Sequence, residues 1–533
     1  MMKNKIFIWL MPSIGDVLFL RILFNILTVG TALLYDGDTG WHLITGENIL
    51  KTWQIPFHDP YSHTLPETAW TAHEWLAEVI FAFIHRWMGL NGVVIFSAIL
   101  IALTYFLLYR FLLFRKVSPM IAVFFTAIGA WASSLHWLAR PHIFSFLFTL
   151  AFFIILELHQ REGINYLKFL PVLMLVWVNL HGGYIFGLML VGIYLGGNLI
   201  IALTISERRE AAKKSCKSLA MIFGITLLAT FCNPQGPAIL YFPFHLIGRQ
   251  FIMDNVAEWL SPNFHKHGVF EFVLLFYLGI LIFSKRKPGL IESLLVLLLV
   301  HMSLYSARYI PLLGLIVTPM AAIRFTEVFD GLINYVTSVK LIGELREIFL
   351  KISANITSLE TRFNKHLWIW VGILGCLAIA LNGGKLGGKQ LWAFQHDKSR
   401  FPVEAMEFVL QNEIPGRMFN NDSWGGYIIY KSYPNYKVFM DGRSDMYGVP
   451  LLKEYVKVAT AQLGYEEVLD KYDISWVMFN ANSPICQLLI ASGKWKLVYA
   501  DTTANILLKD TPKNQGLIIQ HKDVVFLPKD DKD

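Results

Sequence analysis

The chain has 533 residues, of which 55% are hydrophobic and 16% charged, and its mean hydropathy is +0.48. That composition describes a polytopic membrane protein and excludes an ordinary soluble domain. A net charge of +7 on so apolar a background argues against nucleic acid as a partner. Cys216, Cys232, Cys376 and Cys486 are widely spaced with no CxxC pair, so neither a zinc site nor a disulfide framework is expected.

The N-terminal stretch MMKNKIFIWLMPSIGD has an apolar run cut short at Pro12 and no small-residue cleavage site. It is read as a cytoplasmic or interfacial lead into the first span. A helix needs about 20 apolar residues to cross the hydrocarbon layer. On that criterion spans are expected at 17–35, 91–113, 119–138, 142–158, 167–181, 183–205, 218–232, 269–284, 289–306, 309–324 and 366–382, about eleven in all. With a cytoplasmic N-terminus the C-terminus lies outside. The loops this places inside carry Arg110, Arg115 and Lys116; Arg161 and Lys168; Arg208, Arg209, Lys213, Lys214 and Lys217; and Lys285, Arg286 and Lys287. The segment from 324 on adds Arg324, Lys340, Arg346, Lys351, Arg362 and Lys365. The outer loops are poor in basic residues, as the positive-inside rule requires.

The outer side holds the polar and aromatic clusters. A long first loop (36–74) leads into an amphipathic segment with Trp75, Leu76, Val79, Ile80, Phe83, Ile84 and Trp87 on one face, expected to lie in the interface. Further outer ends read WLARPH (137–142), WVNLHGG (177–183), NPQG (233–236), AEWLSP (257–262) and YSARY (305–309). A second interfacial helix is expected at 239–252. So many polar clusters on one face point to a shared extracytoplasmic cavity. Beyond a Gly/Lys linker (382–389) the chain turns polar. It reads as a small α/β domain with helices at 401–411 and 465–471, strands at 417–420, 437–441 and 474–479, and a strand pair at 495–500 and 504–508. The last residues, ending KDDKD, are expected to fray. The expected division is therefore a transmembrane domain, 1–384, and an extracytoplasmic α/β domain, 385–533, with no internal repeat.

The stretch YDGDTGWHLITGEN (35–48) follows the first span directly. It puts Asp36, Asp38, His42 and Glu47 at or just beyond the membrane surface, where acids are costly and mark a functional site. Asp36 and Asp38 form a DxD pair. Such a pair either shares a divalent cation, Mg or Mn, with phosphate oxygens, or supplies a general base that takes the proton of an acceptor hydroxyl.

This layout resembles the GT-C superfamily of membrane glycosyltransferases: protein O-mannosyltransferases, aminoarabinose transferases of lipid A and oligosaccharyltransferases. The shared features are a first span with an acidic motif at its outer end, a long first outer loop with an interfacial helix, many spans, and a C-terminal outer domain. The resemblance implies transfer of a sugar from a polyprenyl-phosphate donor to a lipid, glycan or protein acceptor at the outer face of a bacterial inner membrane. It makes Asp36 or Asp38 the catalytic base or metal ligand, and His73-Glu74 the second acidic site of the same loop. The oligosaccharyltransferase signature WWDYG is missing. SWGGY (423–427) resembles it loosely but lacks the central acid, so a peptide acceptor is not implied.

A phosphate-bearing donor calls for cations. Arg140 and Arg308 are the outer-side candidates, since a guanidinium meets phosphate bidentately. His42, His142 and His181 are candidates to donate to phosphate, though their spacing fits no compact metal motif. Asn179, His181 and two glycines interrupt an apolar stretch, which irregular backbone tolerates where it lines a cavity. Glu258 and Trp259 suit a sugar, the acid accepting hydroxyl hydrogen bonds and the indole stacking on the ring; they suit an interfacial anchor equally. Asp441, Arg443 and Asp445 (DGRSD) read as a turn with an internal ion pair or as a substrate contact. The competing reading of the chain is a non-enzymatic transporter or scaffold for cell-surface polysaccharide or lipid. Surface-clustered polar groups and the lack of inverted repeats weigh against it. A polymerase or ligase using a diphosphate-linked glycan shares the first chemistry.

Overall fold

The computed structural model describes residues 10–241, 250–255, 257–265, 268–336, 340–363 and 365–527. Most of the interfacial helix expected at 239–252 and the end of the C-terminal tail lie outside the described residues. The contacts divide the chain into two compact units. One, the helical unit, comprises the residues up to Val29, Ile95–Trp137 and Pro141–Asn382. The other, the mixed unit, comprises Gly30–Val94, Leu138–Arg140 and the residues from Gly383 onward. A division at residue 384 therefore does not describe the packing: the first outer loop belongs with the C-terminal segment.

Each span expected from the sequence coincides with a helix. Among the described residues five helices are long and apolar enough to cross a membrane: Trp75–Phe114, Pro119–His136, His142–Glu162, Tyr184–Thr204 and Ala307–Phe329. A sixth is added if the bent pair Lys351–Arg362 and Leu367–Leu381 counts as one span. Others are apolar but short, such as Phe169–Leu180, Val269–Phe283 and Leu290–Tyr305. Within the helical unit, Pro119–Ser133 and Ile310–Val336 approach backbone to backbone. A Cβ on Gly129 would sit 2.9 Å from the Gly314 carbonyl, and one on Gly314 would sit 3.1 Å from that of Gly129. Small residues at such a crossing let the helices close on each other. Phe125, Phe276, Tyr277 and Phe325 pack face and edge beside it.

The helix Trp75–Phe114 is broken at Gly89, where φ is 58° and ψ is −157°, a conformation that favours glycine. The amphipathic segment expected before the second span thus ends at a defined kink.

In the mixed unit a four-stranded sheet runs in the order Arg417–Asn420, Ile474–Asn480, Ala504–Lys509, Trp495–Ala500. The first pairing is parallel and the other two antiparallel. The strand expected at 437–441 is not part of this sheet. Its backbone instead pairs with the first loop: Val438 N–H donates to the Tyr61 carbonyl at 3.0 Å, and His63 N–H donates to that of Val438 at 3.1 Å. The first loop is itself largely ordered, with a helix over Asp38–Thr52. Helices at Val403–Asn412 and Tyr465–Lys471 stand where the sequence placed them, and Asp422–Ser432, Ser444–Ala459, Pro484–Ala491 and Gln515–Gln520 add to them. Trp41, Tyr61 and Trp70 of the first loop enter the same buried cluster as Met418, Trp424, Tyr427, Trp476 and Ile506. A buried aromatic side chain of this kind contributes roughly 1.5–3 kcal/mol, so the loop is anchored by its core residues.

Candidate functional site

Gly37 begins the helix Asp38–Thr52 without a side-chain cap. Asp36 takes over that task, its Oδ1 accepting the Asp38 N–H at 2.8 Å. Carboxylates at a helix N-terminus are favoured by the helix dipole. Arg140 then closes the arrangement. Its Nη1 lies 2.7 Å from Asp36 Oδ2 and its Nη2 lies 3.0 Å from Asp38 Oδ2. One planar guanidinium thus spans the DxD pair. The segment that delivers Arg140 is fixed by two bonds, Ala139 N–H to the Leu33 carbonyl at 2.8 Å and Thr39 Oγ1 to the Ala139 carbonyl at 3.2 Å.

Glycines set the position of the acids. A Cβ on Gly442 would collide with Asp38 Oδ1, so the DGRSD turn packs its backbone directly on that carboxylate. A Cβ on Gly37 would strike the Ser423 carbonyl, and one on Gly40 that of Gly426. A Cβ on Gly426 would strike the Gly37 carbonyl in turn. The helices Asp38–Thr52 and Asp422–Ser432 therefore cross with their backbones in contact. Gly426 of SWGGY is accounted for by this close approach, and Gly425 by the backbone of Met440 and Asp441 that packs on it.

Behind the acid pair lies a buried layer. His42 sits between Glu78, with Nδ1 to Oε1 3.1 Å, and Glu74, with Nε2 to Oε2 3.5 Å. The Trp41 indole lies over its ring, centroids 3.6 Å apart. His73 Nε2 is 3.5 Å from Glu74 Oε1. Burial works against a charged His73, but Glu74 and Asp445 outweigh it and hold its pKa above the usual value. Burial raises the Asp445 carboxyl, with His73 and Arg443 acting against it.

The internal ion pair read from DGRSD is present. Arg443 Nε and Nη2 donate to the two Asp441 oxygens at 2.8 and 2.7 Å. Nη2 also lies 2.9 Å from Asp59 Oδ1. Trp70, Tyr61 and Trp41 surround the guanidinium at 4.7, 5.0 and 5.8 Å. The sequence had not singled out Asp59, Glu78 or Arg400. Arg400 stacks on the Tyr35 ring at 4.4 Å, next to Asp36; only the contact with Tyr35 reveals it.

The remaining expected site residues belong to the helical unit and form two clusters there. Ser145 Oγ bridges His181 Nδ1 and Trp177 Nε1, each at 2.7 Å. The ring of His142 lies 6.3 Å from that of His181, and its Nε2 is 2.7 Å from the His136 carbonyl. Asn179 Nδ2 donates to the carbonyls of Leu175 and Cys232, both at 2.9 Å. In the second cluster Arg308 lies over the Trp259 ring at 4.7 Å, with its Nη1 3.3 Å from Glu258 Oε2. An acid, a cation and an indole in contact can recognise a sugar ring.

Two buried histidines make the mixed unit acid-sensitive. Burial brings His63 down to about 4, aided by Arg417 and Lys437 and opposed by its bond to the Met418 carbonyl. His396, enclosed by Phe401, Tyr427 and Tyr430, is lowered to about 4 by burial and by Lys431. Both are neutral when folded and protonate more readily when unfolded. Their contribution is complete above about pH 6.5 and is lost as pH falls towards 4, roughly 3 kcal/mol each. His73 has the opposite sign, but its raised pKa moves its effect above that window. Between pH 6.5 and 4 the wild type is expected to lose more thermal stability relative to its value at pH 6.5 than His396→Phe does. Parallel pH profiles for the two proteins contradict this.

As to a divalent cation, among the described residues no group of three or more His, Cys, Asp or Glu is arranged to hold one. At the DxD pair the position between the carboxylates is held by Arg140. The residues present fit a guanidinium there rather than a metal ion.

No protein-family model matches the sequence, and no curated protein matches it. Among solved structures, the chain is similar to the archaeal oligosaccharyltransferase AglB from Archaeoglobus fulgidus in complex with an inhibitory peptide and a dolichol-phosphate. The TM-score is 0.55 at 12% identity, covering 93% of this chain and 75% of that one. The apo form of the Archaeoglobus fulgidus oligosaccharyltransferase matches with a TM-score of 0.54 at 11% identity, over 88% of this chain and 69% of that one. ArnT from Cupriavidus metallidurans aligns over 92% of this chain and 97% of that one at 12% identity, with a TM-score of 0.44. What the oligosaccharyltransferase structures share with this chain is the fold.

Proposed function

We propose that the protein is a multi-pass membrane glycosyltransferase of the GT-C type. It takes a sugar from a polyprenyl-phosphate donor and passes it to an extracytoplasmic acceptor. The observation that carries this reading is the Asp36–Arg140–Asp38 arrangement at the start of a first-loop helix. The fold it shares with AglB, solved with a dolichol-phosphate, supports the donor class. The basic loops support an arrangement of about eleven spans with the C-terminal segment outside, in a bacterial inner membrane.

The chemistry follows from the side chains. Arg140 binds the donor phosphate with part of its fork, as guanidinium groups do, and Arg400 adds a second cation beside Tyr35. The exchange loosens the grip on Asp38. Asp38 then takes the proton of the acceptor hydroxyl. The acceptor oxygen bonds to the anomeric carbon as the bond from that carbon to the phosphate oxygen breaks. Lipid phosphate leaves, and the anomeric configuration inverts. Asp36 keeps the helix start in place through the Asp38 N–H. His42, His73 and Glu74 hold the buried layer behind the base. Glu258, Trp259 and Arg308, like His142, Asn179 and His181, belong to the helical unit and take no part in this step. No step passes through a metal ion.

Donor binding tests the role of Arg140. Arg140→Gln is expected to weaken binding of a radiolabelled polyprenyl-phosphate sugar roughly tenfold, the size of one lost charge-assisted hydrogen bond. Equal binding by variant and wild type removes Arg140 from the site. No binding by the wild type removes this donor class.

A further inference from the structure

A second cationic site lies in the helical unit. An open cleft is lined by Arg115, Arg161, Arg286 and Arg324 and by only two carboxylates, Glu157 and Glu292. The carboxylates are shared to their limit. Glu157 Oε2 meets Arg161 Nε at 2.7 Å and Arg115 Nη1 at 3.1 Å, while its Oε1 accepts the Tyr194 hydroxyl at 2.7 Å. Glu292 takes both prongs of Arg324 at 2.9 Å and Arg161 Nη2 at 3.0 Å. The fourth arginine, Arg286, has a half-exposed side chain and a loose contact of 3.5 Å with Glu327, which lies outside the lining. The lining carries four arginines against two carboxylates, with Glu162, 3.7 Å from Arg115 Nε, and Glu327 beside it. An anion that reaches Arg286 displaces only that loose contact.

The place of the cleft says which anion suits it. Arg115 follows the end of Trp75–Phe114, Glu157 ends His142–Glu157, and Glu292 lies in the first turn of Leu290–Tyr305. Arg324 is near the end of the apolar span Ala307–Phe329. These are helix ends, where a bilayer presents its headgroups. Phe153, Met320 and Ile323 add an apolar wall, which a free anion does not need and an acyl chain does. Basic pockets between membrane helices bind anionic headgroups on the cytoplasmic side. The basic loops assign these ends to that side.

We propose that this cleft binds the phosphate headgroup of an anionic membrane lipid, with Arg286 closing over it. The inference needs the helical unit to lie in a bilayer but not the transfer reaction.

Full-length protein in a neutral detergent tests it by thermal unfolding during titration with phosphatidylglycerol, phosphatidylcholine or inorganic phosphate. Phosphatidylglycerol is expected to raise the melting temperature saturably, and the other two are not. The half-saturating concentration should rise roughly tenfold in Arg286→Ala. Arg286→Lys should stay closer to the wild type, and Arg286→Glu should not respond. Arg286 lies in a loop with its side chain half exposed, so these variants spare the buried network. Asp38→Asn protein should respond like the wild type, which separates this claim from the transfer reading. An unchanged phosphatidylglycerol response in Arg286→Ala and Arg286→Glu overturns the site. An equal response to phosphatidylcholine overturns the charge requirement, and one reproduced by inorganic phosphate overturns the lipid as its source.

Discussion

Asp38→Asn is expected to lower the rate of sugar transfer by about 10²–10⁴-fold, the range for removal of a general base, while the protein still unfolds cooperatively. Asparagine has the shape of aspartate, so it preserves the contact with the Gly442 backbone. It still offers Arg140 an oxygen, but it does not accept the acceptor's proton. Asp36→Asn is expected to cost less. Asp36 is occupied with the Asp38 N–H at 2.8 Å, and an amide oxygen can accept that bond too. Initial rates with saturating donor distinguish the two. A wild-type rate in Asp38→Asn removes it as the base, and a larger loss in Asp36→Asn exchanges the roles.

Gly442→Val is expected to reduce turnover by about 100-fold, with donor affinity much less affected. The new Cβ meets Asp38 Oδ1, and either the carboxylate or the turn must move. A displacement of about 1 Å at a reacting group costs on the order of 10²-fold. Gly442→Ala should be milder, because the turn has fewer added atoms to accommodate. Gly516→Ala is the matched control, since nothing lies within 4 Å of a Cβ there. If turnover in Gly442→Val equals that of the control, the DGRSD turn does not position the acid. If donor binding falls in step with turnover, its role is structural.

Local pattern carried much of the fold. Apolar runs located the helices, and strands at Ile474–Asn480 and Ala504–Lys509 followed from their β-branched and aliphatic content. The acid pair was legible because two aspartates directly follow an apolar span. The internal ion pair of Asp441 and Arg443 was legible because the residues are two apart. What local pattern does not encode is the partnership across the chain. Trp41, Tyr61 and Trp70 share a core with Trp424 and Trp476, and no periodicity links segments so far apart. The segment 437–441 reads as a strand by composition, yet its hydrogen bonds go to Tyr61 and His63. SWGGY read as a distant catalytic signature, whereas its Gly426 is needed for a helix crossing with Gly37 and Gly40. Arg140 was expected on phosphate and here holds both acids, a relation visible only once residues 36 and 140 are brought together.

The most direct measurement is release of polyprenyl phosphate by purified full-length protein, supplied with a radiolabelled polyprenyl-phosphate sugar and acceptor lipids from a membrane extract, with and without a chelator. The expected result is release that depends on Asp38, persists under chelation, and yields a product of inverted anomeric configuration. Release that stops on chelation would put a divalent cation where Arg140 now sits. Donor that binds and is never turned over, in wild type and Asp38→Asn alike, would contradict the transferase reading.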